Sequence, residues 1–186
     1  MFIYFYQPAE DSYFLSDYVK NYIEKLNNSE KENIKSLDMG TGSGIQSKNL
    51  ISLGIKKGNI TATDINFDAL KQAKKLKIKA IKSDLFEKLN KKEKFDLIIF
   101  NPPYLPENKF DKEKDTTGGK KGDETIIRFI KSLKSHLKEK GICFLLTSSL
   151  TPNTWKKETK KQKLKIRKVG EKSLFMEKFY VWEITI

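Results

Sequence analysis

The sequence predicts an α/β fold: a mostly parallel seven-stranded sheet with a C-terminal antiparallel strand and an extra helix at the N-terminus. Three observations predict it. Five strand-like runs, "IKSLDMG", "ITATDIN", "KAIKSDLF", "FDLIIFN" and "GICFLLTSS", recur along the chain, most of them separated by segments of helical periodicity, the alternation that builds βαβ units. The run Leu97 to Phe100 is apolar without polar alternation, as in strands covered on both faces. Two further runs, "KLKIRKVG" and "FYVWEITI", follow with no crossover helix between them, which marks an antiparallel pair at the end of the sheet.

Taken in order, the elements justify themselves. Phe14, Leu15, Tyr18, Val19, Tyr22, Ile23 and Leu26 keep helical spacing and end near Asn27 and Asn28, so the first element is an amphipathic helix. After the first strand, a helix carrying Ile45, Leu50, Ile51 and Leu53 is closed by Gly54, and one carrying Ala69, Leu70, Ala73 and Leu76 follows the second. The fourth strand must stop at Asn101, because Pro102 and Pro103 cannot donate to a ladder. A long irregular stretch, 102–123, rich in Gly, Pro, Lys and Asp, reads as a binding loop. The next helix carries Ile126, Ile127, Ile130, Leu133 and Leu137 and is expected to be closed by Gly141. No internal repeat interrupts this series, and 186 residues fit a single domain, 1–186.

Composition narrows the class. No apolar stretch approaches membrane-spanning length, and "MFIYFYQPAED" lacks the basic flank and cleavage site of a signal peptide, so a cytoplasmic protein without membrane contact is expected. Cys143 is the only cysteine, which excludes an internal disulfide or a thiolate metal cluster. The net charge is +13, suited to a phosphate-rich partner. Yet the charge is nearly all lysine, spread through "KKLKIKAIKS", "NKKEKF" and "TWKKETKKQKLKIRK" without interleaved aromatics, the pattern of solvated faces. Nucleic-acid contact is therefore allowed but not required.

The chemistry begins in "LDMGTGSGI", which places Gly40, Gly42 and Gly44 in the turn from first strand to first crossover helix. Bare backbone there lets a ligand approach the amides and the helix N-terminus. The spacing is not that of a dinucleotide fingerprint, and Asp38 ahead of it would repel a pyrophosphate. A carboxylate suits an ammonium group instead. Asp64, followed by Ile65, ends the second strand, where an acid can take both ribose hydroxyls. Asp84 ends the third, beside Leu85 and Phe86, which could cover an adenine ring. Any one of these acids alone reads as a helix N-cap or turn residue; three at successive strand ends favour a nucleoside ligand.

With "NPPY" at 101–104 these residues resemble class I S-adenosylmethionine-dependent methyltransferases, of Rossmann-like fold, in the subset that methylates a planar nitrogen. "QPAEDSYFL", "DMGTGSG", "NPPYLP" and "GGKKGDETI" resemble more specifically the HemK-like branch, in the short archaeal and eukaryotic form that methylates release factor glutamine. The resemblance covers nearly the whole chain. It implies that Ser12, Asp38, Gly40, Gly42, Gly44, Asp64, Ile65, Asp84, Leu85 and Asn101 hold S-adenosylmethionine, and that Asn101 holds the substrate amide. It implies as partners a class 1 release factor as substrate and a small zinc-binding activator subunit, which the apolar start "MFIYFY" and "ITATDIN", read as an edge strand, could take through strand addition. Asp38 stands where the eukaryotic form often has Glu, and Ser12 where Thr is common.

An amide nitrogen is a poor nucleophile because its lone pair is delocalised, so it must be oriented and its developing charge favoured. The side-chain oxygen of Asn101 and the carbonyl of Pro102 can accept its two hydrogens, Pro102 and Pro103 fix the loop, and Tyr104 can pack on the planar group. No metal or strong base is required, and His136, on a helix away from every motif, is expected to be structural. Three alternatives stay open: an RNA or DNA base methyltransferase acting on an exocyclic amine, a nucleotide-binding module without catalysis, and "NPPY" as a plain strand-ending turn. The chain ending at Ile186 leaves no appended domain for reading a flipped base, which favours the protein substrate.

Overall fold

The computed structural model describes residues 7–104 and 118–186. Its seven strands are β1 (Ser36–Met39), β2 (Ile60–Asp64), β3 (Lys79–Lys82), β4 (Phe95–Phe100), β5 (Leu137–Ser148), β6 (Lys165–Ser173) and β7 (Lys178–Thr185). Their order across the sheet is β3-β2-β1-β4-β5-β7-β6. Pairings from β3 to β5 are parallel, and β7 runs antiparallel to both β5 and β6. The predicted fold class is therefore the observed one. One expectation is corrected: "ITATDIN" is not an edge strand, because β2 is flanked by β1 and β3, and the edges are β3 and β6.

Residue alternation explains the apolar runs. On β4, Leu97 and Ile99 join the core that includes Leu15, Val19 and Ile23 of α1 (Glu10–Ile23) and Leu50 of α3 (Ile45–Ser52). Ile98 and Phe100 join the opposite core, with Ile126, Phe129, Ile130 and Leu133 of α5 (Glu124–His136) and Trp155 of α6 (Trp155–Lys161). From Leu97 to Phe100 each β4 side chain thus meets a helical layer whichever way it points, and a polar alternation there would place polar atoms in a core.

Two helices go beyond the sequence reading. A short α2 (Asn28–Asn33) starts where a turn is expected, its N-terminus held by a capping box between Asn27 and Glu30. α6 forms inside the lysine-rich run, anchored by fully buried Trp155. It sets Lys156 4.2 Å above the Trp182 ring, and Lys168 lies 5.2 Å above Tyr180, so aromatics distant in sequence do meet these lysines. α4 (Phe67–Lys75) fits its predicted pattern, with Ala69, Leu70 and Ala73 buried. Gly141 does not close α5: the helix stops at His136 and Leu137 already pairs with Phe95 in β5. A Cβ on Gly141 would lie 2.9 Å from the Phe95 carbonyl, and the β4–β5 register shifts beside it, the usual setting of a strand glycine. No helix among the described residues is long and apolar enough to cross a membrane.

Candidate active site

The chain moves one way across the sheet through β1, β2 and β3, and the other way through β4 and β5. Ligand crevices open where strand order reverses, beyond the carboxyl ends of the strands. Register aligns what stands there. Met39 pairs with both Thr63 and Phe100, so the next residues on the three strands, Gly40, Asp64 and Asn101, come level with one another. Asp64 pairs with Lys82 of β3, which puts Asp84 two residues further out.

Asp38 lies within β1, one residue before its end, and is 2% exposed. Its Oδ2 accepts three hydrogen bonds: from the Thr41 hydroxyl at 2.7 Å, the Ser47 hydroxyl at 2.6 Å and the Ser47 backbone N–H at 3.1 Å. Burial pushes its pKa up to about 6, against the pull of the Ser47 and Thr41 bonds, with the Asp64 carboxylate adding repulsion. Gly40, Gly42 and Gly44 all hold positive φ, at 61°, 50° and 77°, a turn that residues with a Cβ adopt only under strain. That turn aims the Gly42 N–H at Asp64 Oδ2, 2.9 Å away, while Asp64 Oδ1 accepts from the Asn66 N–H at 2.8 Å.

Ile65 and Leu85 flank this line: Ile65 is 46% exposed and Leu85 sits at a φ of 48°. Asp84 stands apart from the other acids, in an ion pair of 2.8 Å with Arg128 of α5. Both partners are more than two-fifths exposed, so the pair orients Asp84 more than it stabilises the fold.

The second group gathers around Asn101. Its Nδ2 donates to Asp11 Oδ2 at 3.0 Å and to the Ser12 hydroxyl at 3.4 Å. Its Oδ1 is buried and has no hydrogen-bond partner among the described residues, which costs about 1–3 kcal/mol and is expected where an acceptor faces a ligand. The Tyr104 hydroxyl also reaches Asp11 Oδ2, at 3.4 Å, and its ring meets Phe179 edge-on at 6.2 Å. Ser12 is fastened from behind, since its carbonyl accepts from Gln46 Nε2 at 2.9 Å. Pro103 is backed by Gly118: a Cβ there would lie 2.7 Å from the Pro103 carbonyl and would also strike that of Gly122. Glu124 holds this second turn by accepting from the N–H groups of Lys121 and Gly122, each at 3.0 Å.

Of the predicted residues, the structure brings Ser12, Asn101 and Tyr104 into one cluster and Asp38, Gly42 and Asp64 into another, with Asp84 on the same sheet edge. Sequence reasoning passed over Asp11, Thr41, Ser47 and Arg128. Asp11 sits inside the quoted "PAED", but its contact with Asn101 spans 90 residues and leaves no local signal. His136 is structural as expected, stacked on Phe86 at 4.7 Å with Nδ1 3.0 Å from the Glu93 carbonyl. Cys143 is buried, and burial pushes its thiol pKa up, so it is unreactive.

Known proteins resemble this chain in sequence and in fold. A family model, methyltransferase small domain, matches residues 20–169. A putative protein N5-glutamine methyltransferase of Methanocaldococcus jannaschii is 40% identical over 158 residues, covering 78% of this chain and 73% of that protein. Methyltransferase HEMK2 of Homo sapiens is 32% identical over 155 residues, covering 76% of this chain and 71% of its own. Among solved structures, the E. cuniculi Mtq2–Trm112 complex, responsible for methylating the eRF1 translation termination factor, matches with a TM-score of 0.75 at 25% identity. That match covers 97% of this chain and 98% of the other. RsmC of T. thermophilus, a 16S rRNA N2 methyltransferase solved with AdoMet and guanosine, matches at a TM-score of 0.65 and 18% identity over 96% of this chain and 43% of that one, a likeness of fold alone. With a family model matching 20–169 and a relative 40% identical over most of its length, the chain belongs to the methyltransferase small-domain family.

Proposed function

We propose that this methyltransferase transfers the methyl group of S-adenosylmethionine to the side-chain amide nitrogen of the glutamine in the Gly-Gly-Gln loop of a class 1 translation release factor. One observation carries the planar-amine reading: Asn101 presents a buried carbonyl oxygen, without a partner among the described residues, at the end of β4, with its NH2 end already engaged. An acceptor in that state suits a substrate N–H. The choice of glutamine rests on the relatives whose names specify it and on the Mtq2–Trm112 likeness.

The donor set fits S-adenosylmethionine. Asp38 would face its ammonium, Asp64 its ribose hydroxyls and Asp84 its adenine amine, with Ile65 and Leu85 against the ring and the backbone of Gly40 and Gly44 leaving room. The bound cofactor supplies an electrophilic methyl on a sulfonium. Asn101 Oδ1 and the Pro102 carbonyl accept the two amide hydrogens and orient the nitrogen for in-line attack. As charge develops on nitrogen those two bonds strengthen, and the proton then leaves to solvent without a dedicated base. Tyr104 and the two prolines hold the acceptor pair in place.

The Mtq2–Trm112 likeness supports a small activator subunit as a second partner. β3 is the exposed edge strand nearest the nucleoside-binding acids and offers backbone for strand addition. The apolar start, residues 1–6, also expected to contribute, lies outside the described residues.

Peptide mass spectrometry tests the substrate. A release factor fragment incubated with the enzyme and cofactor gains one methyl on the loop glutamine, and a Gln→Asn fragment gains none because its amide falls one methylene short of Asn101. Equal methylation of both fragments would refute the pocket.

A further inference from the structure

We propose that Asp11 is a positioning residue for methyl transfer, deciding which end of the Asn101 amide faces the substrate; this rests on the planar-amine reading above. Asp11 is 2% exposed, in the first turn of α1. Its Oδ1 accepts from the Ser12 N–H at 2.6 Å and the Ser12 hydroxyl at 3.2 Å, which locks the carboxylate to its own helix turn. Its Oδ2 accepts from Asn101 Nδ2 at 3.0 Å and from the Tyr104 hydroxyl at 3.4 Å. One oxygen therefore holds the residues on either side of the Pro102–Pro103 pair.

The two ends of a carboxamide are nearly the same shape, so packing alone does not choose between them. A carboxylate chooses, because it accepts and cannot donate. Only the NH2 end of Asn101 can face Asp11, and the carbonyl end is driven to the opposite side, where Oδ1 stays buried without a partner among the described residues. The flipped amide would turn two N–H donors toward a substrate amine that is itself a donor, and both acceptor function and substrate orientation would be lost. The carboxylate thus sets the polarity of the acceptor without touching the reacting atoms.

The isosteric D11N separates this role from mere packing, since its amide can present either end to Asn101. In the full chain with the release factor fragment, kcat falls on the order of 10- to 100-fold, while cofactor Kd and peptide KM stay within about twofold. In a double-mutant cycle the loss is absent on an N101A background, because there is no amide left to orient. Wild-type kcat in folded D11N, or losses that add fully with N101A, would overturn the proposal. A readout independent of substrate is hydrogen exchange of the Asn101 side-chain NH2 by NMR. Slow exchange in the wild type and fast exchange in D11N support the anchor even where the release factor is not methylated, an outcome that refutes the substrate reading alone. Equal exchange in both proteins refutes the anchor.

Discussion

Asp38 has every bond described above on one oxygen, Oδ2, and a pKa pushed up to about 6 by burial. If it faces the cofactor ammonium, binding selects its ionised form, so the sign is fixed: affinity is level above pH 6 and falls as pH drops, by about tenfold per unit. Calorimetry between pH 5 and 7.5 should show that slope in the wild type, and D38N should bind more weakly with a flat profile. A flat wild-type profile would detach Asp38 from the ammonium. At this scale the sequence marks residues whose neighbours are local, such as Asp38 beside its glycine turn. It hides those defined by distant contacts, such as Asp11 and Arg128, whose partners lie 90 and 44 residues away.

Elements carry the next set of constraints. The turn "GGKKGDE" reads in sequence as part of a long binding loop, and its described residues, 118–124, form a tight turn fastened by Glu124 and pressed against Pro103. It acts as a backstop for the "NPPY" segment. G118A should therefore push Pro103 and its neighbours out of line, lowering kcat on the order of 10- to 100-fold with overpacking worth about 1–3 kcal/mol of stability. Cofactor affinity should hold, because Asp38 and Asp64 sit on other strands. Kinetics and thermal melting check both parts, and an active G118A of normal Tm would contradict the backstop. The seven strands are legible in the sequence because β4 and β5 are buried on both faces and their apolar runs have no competing pattern. α6 escapes notice because its identity as a helix depends on Trp155 entering a core built by α5 and the sheet, behind a run of lysines that hides it. Gly141 misleads for a related reason, a strand glycine and a helix-capping glycine being indistinguishable without the Phe95 backbone beside it.

Over the whole molecule two features compete to name the substrate. At the β1/β4 switch point Asn101 offers a buried amide oxygen without a partner among the described residues, an acceptor that suits a planar NH2 group. The surface carries a net charge of +13, with Lys156 and Lys168 lying over Trp182 and Tyr180, which are contacts that also suit RNA. Charge raises encounter with any polyanion, whereas only the site decides what is methylated. The most direct test places both acceptors in one tube: a release factor and ribosomal RNA at equal concentration, with labelled S-adenosylmethionine, wild type or N101A, and the activator subunit present or absent. The account predicts one methyl on the Gly-Gly-Gln glutamine with the wild type, none on RNA, and a rate lowered on the order of a hundredfold or more with N101A although that variant still binds cofactor. Label on RNA with the release factor untouched, or normal turnover by N101A, would contradict it.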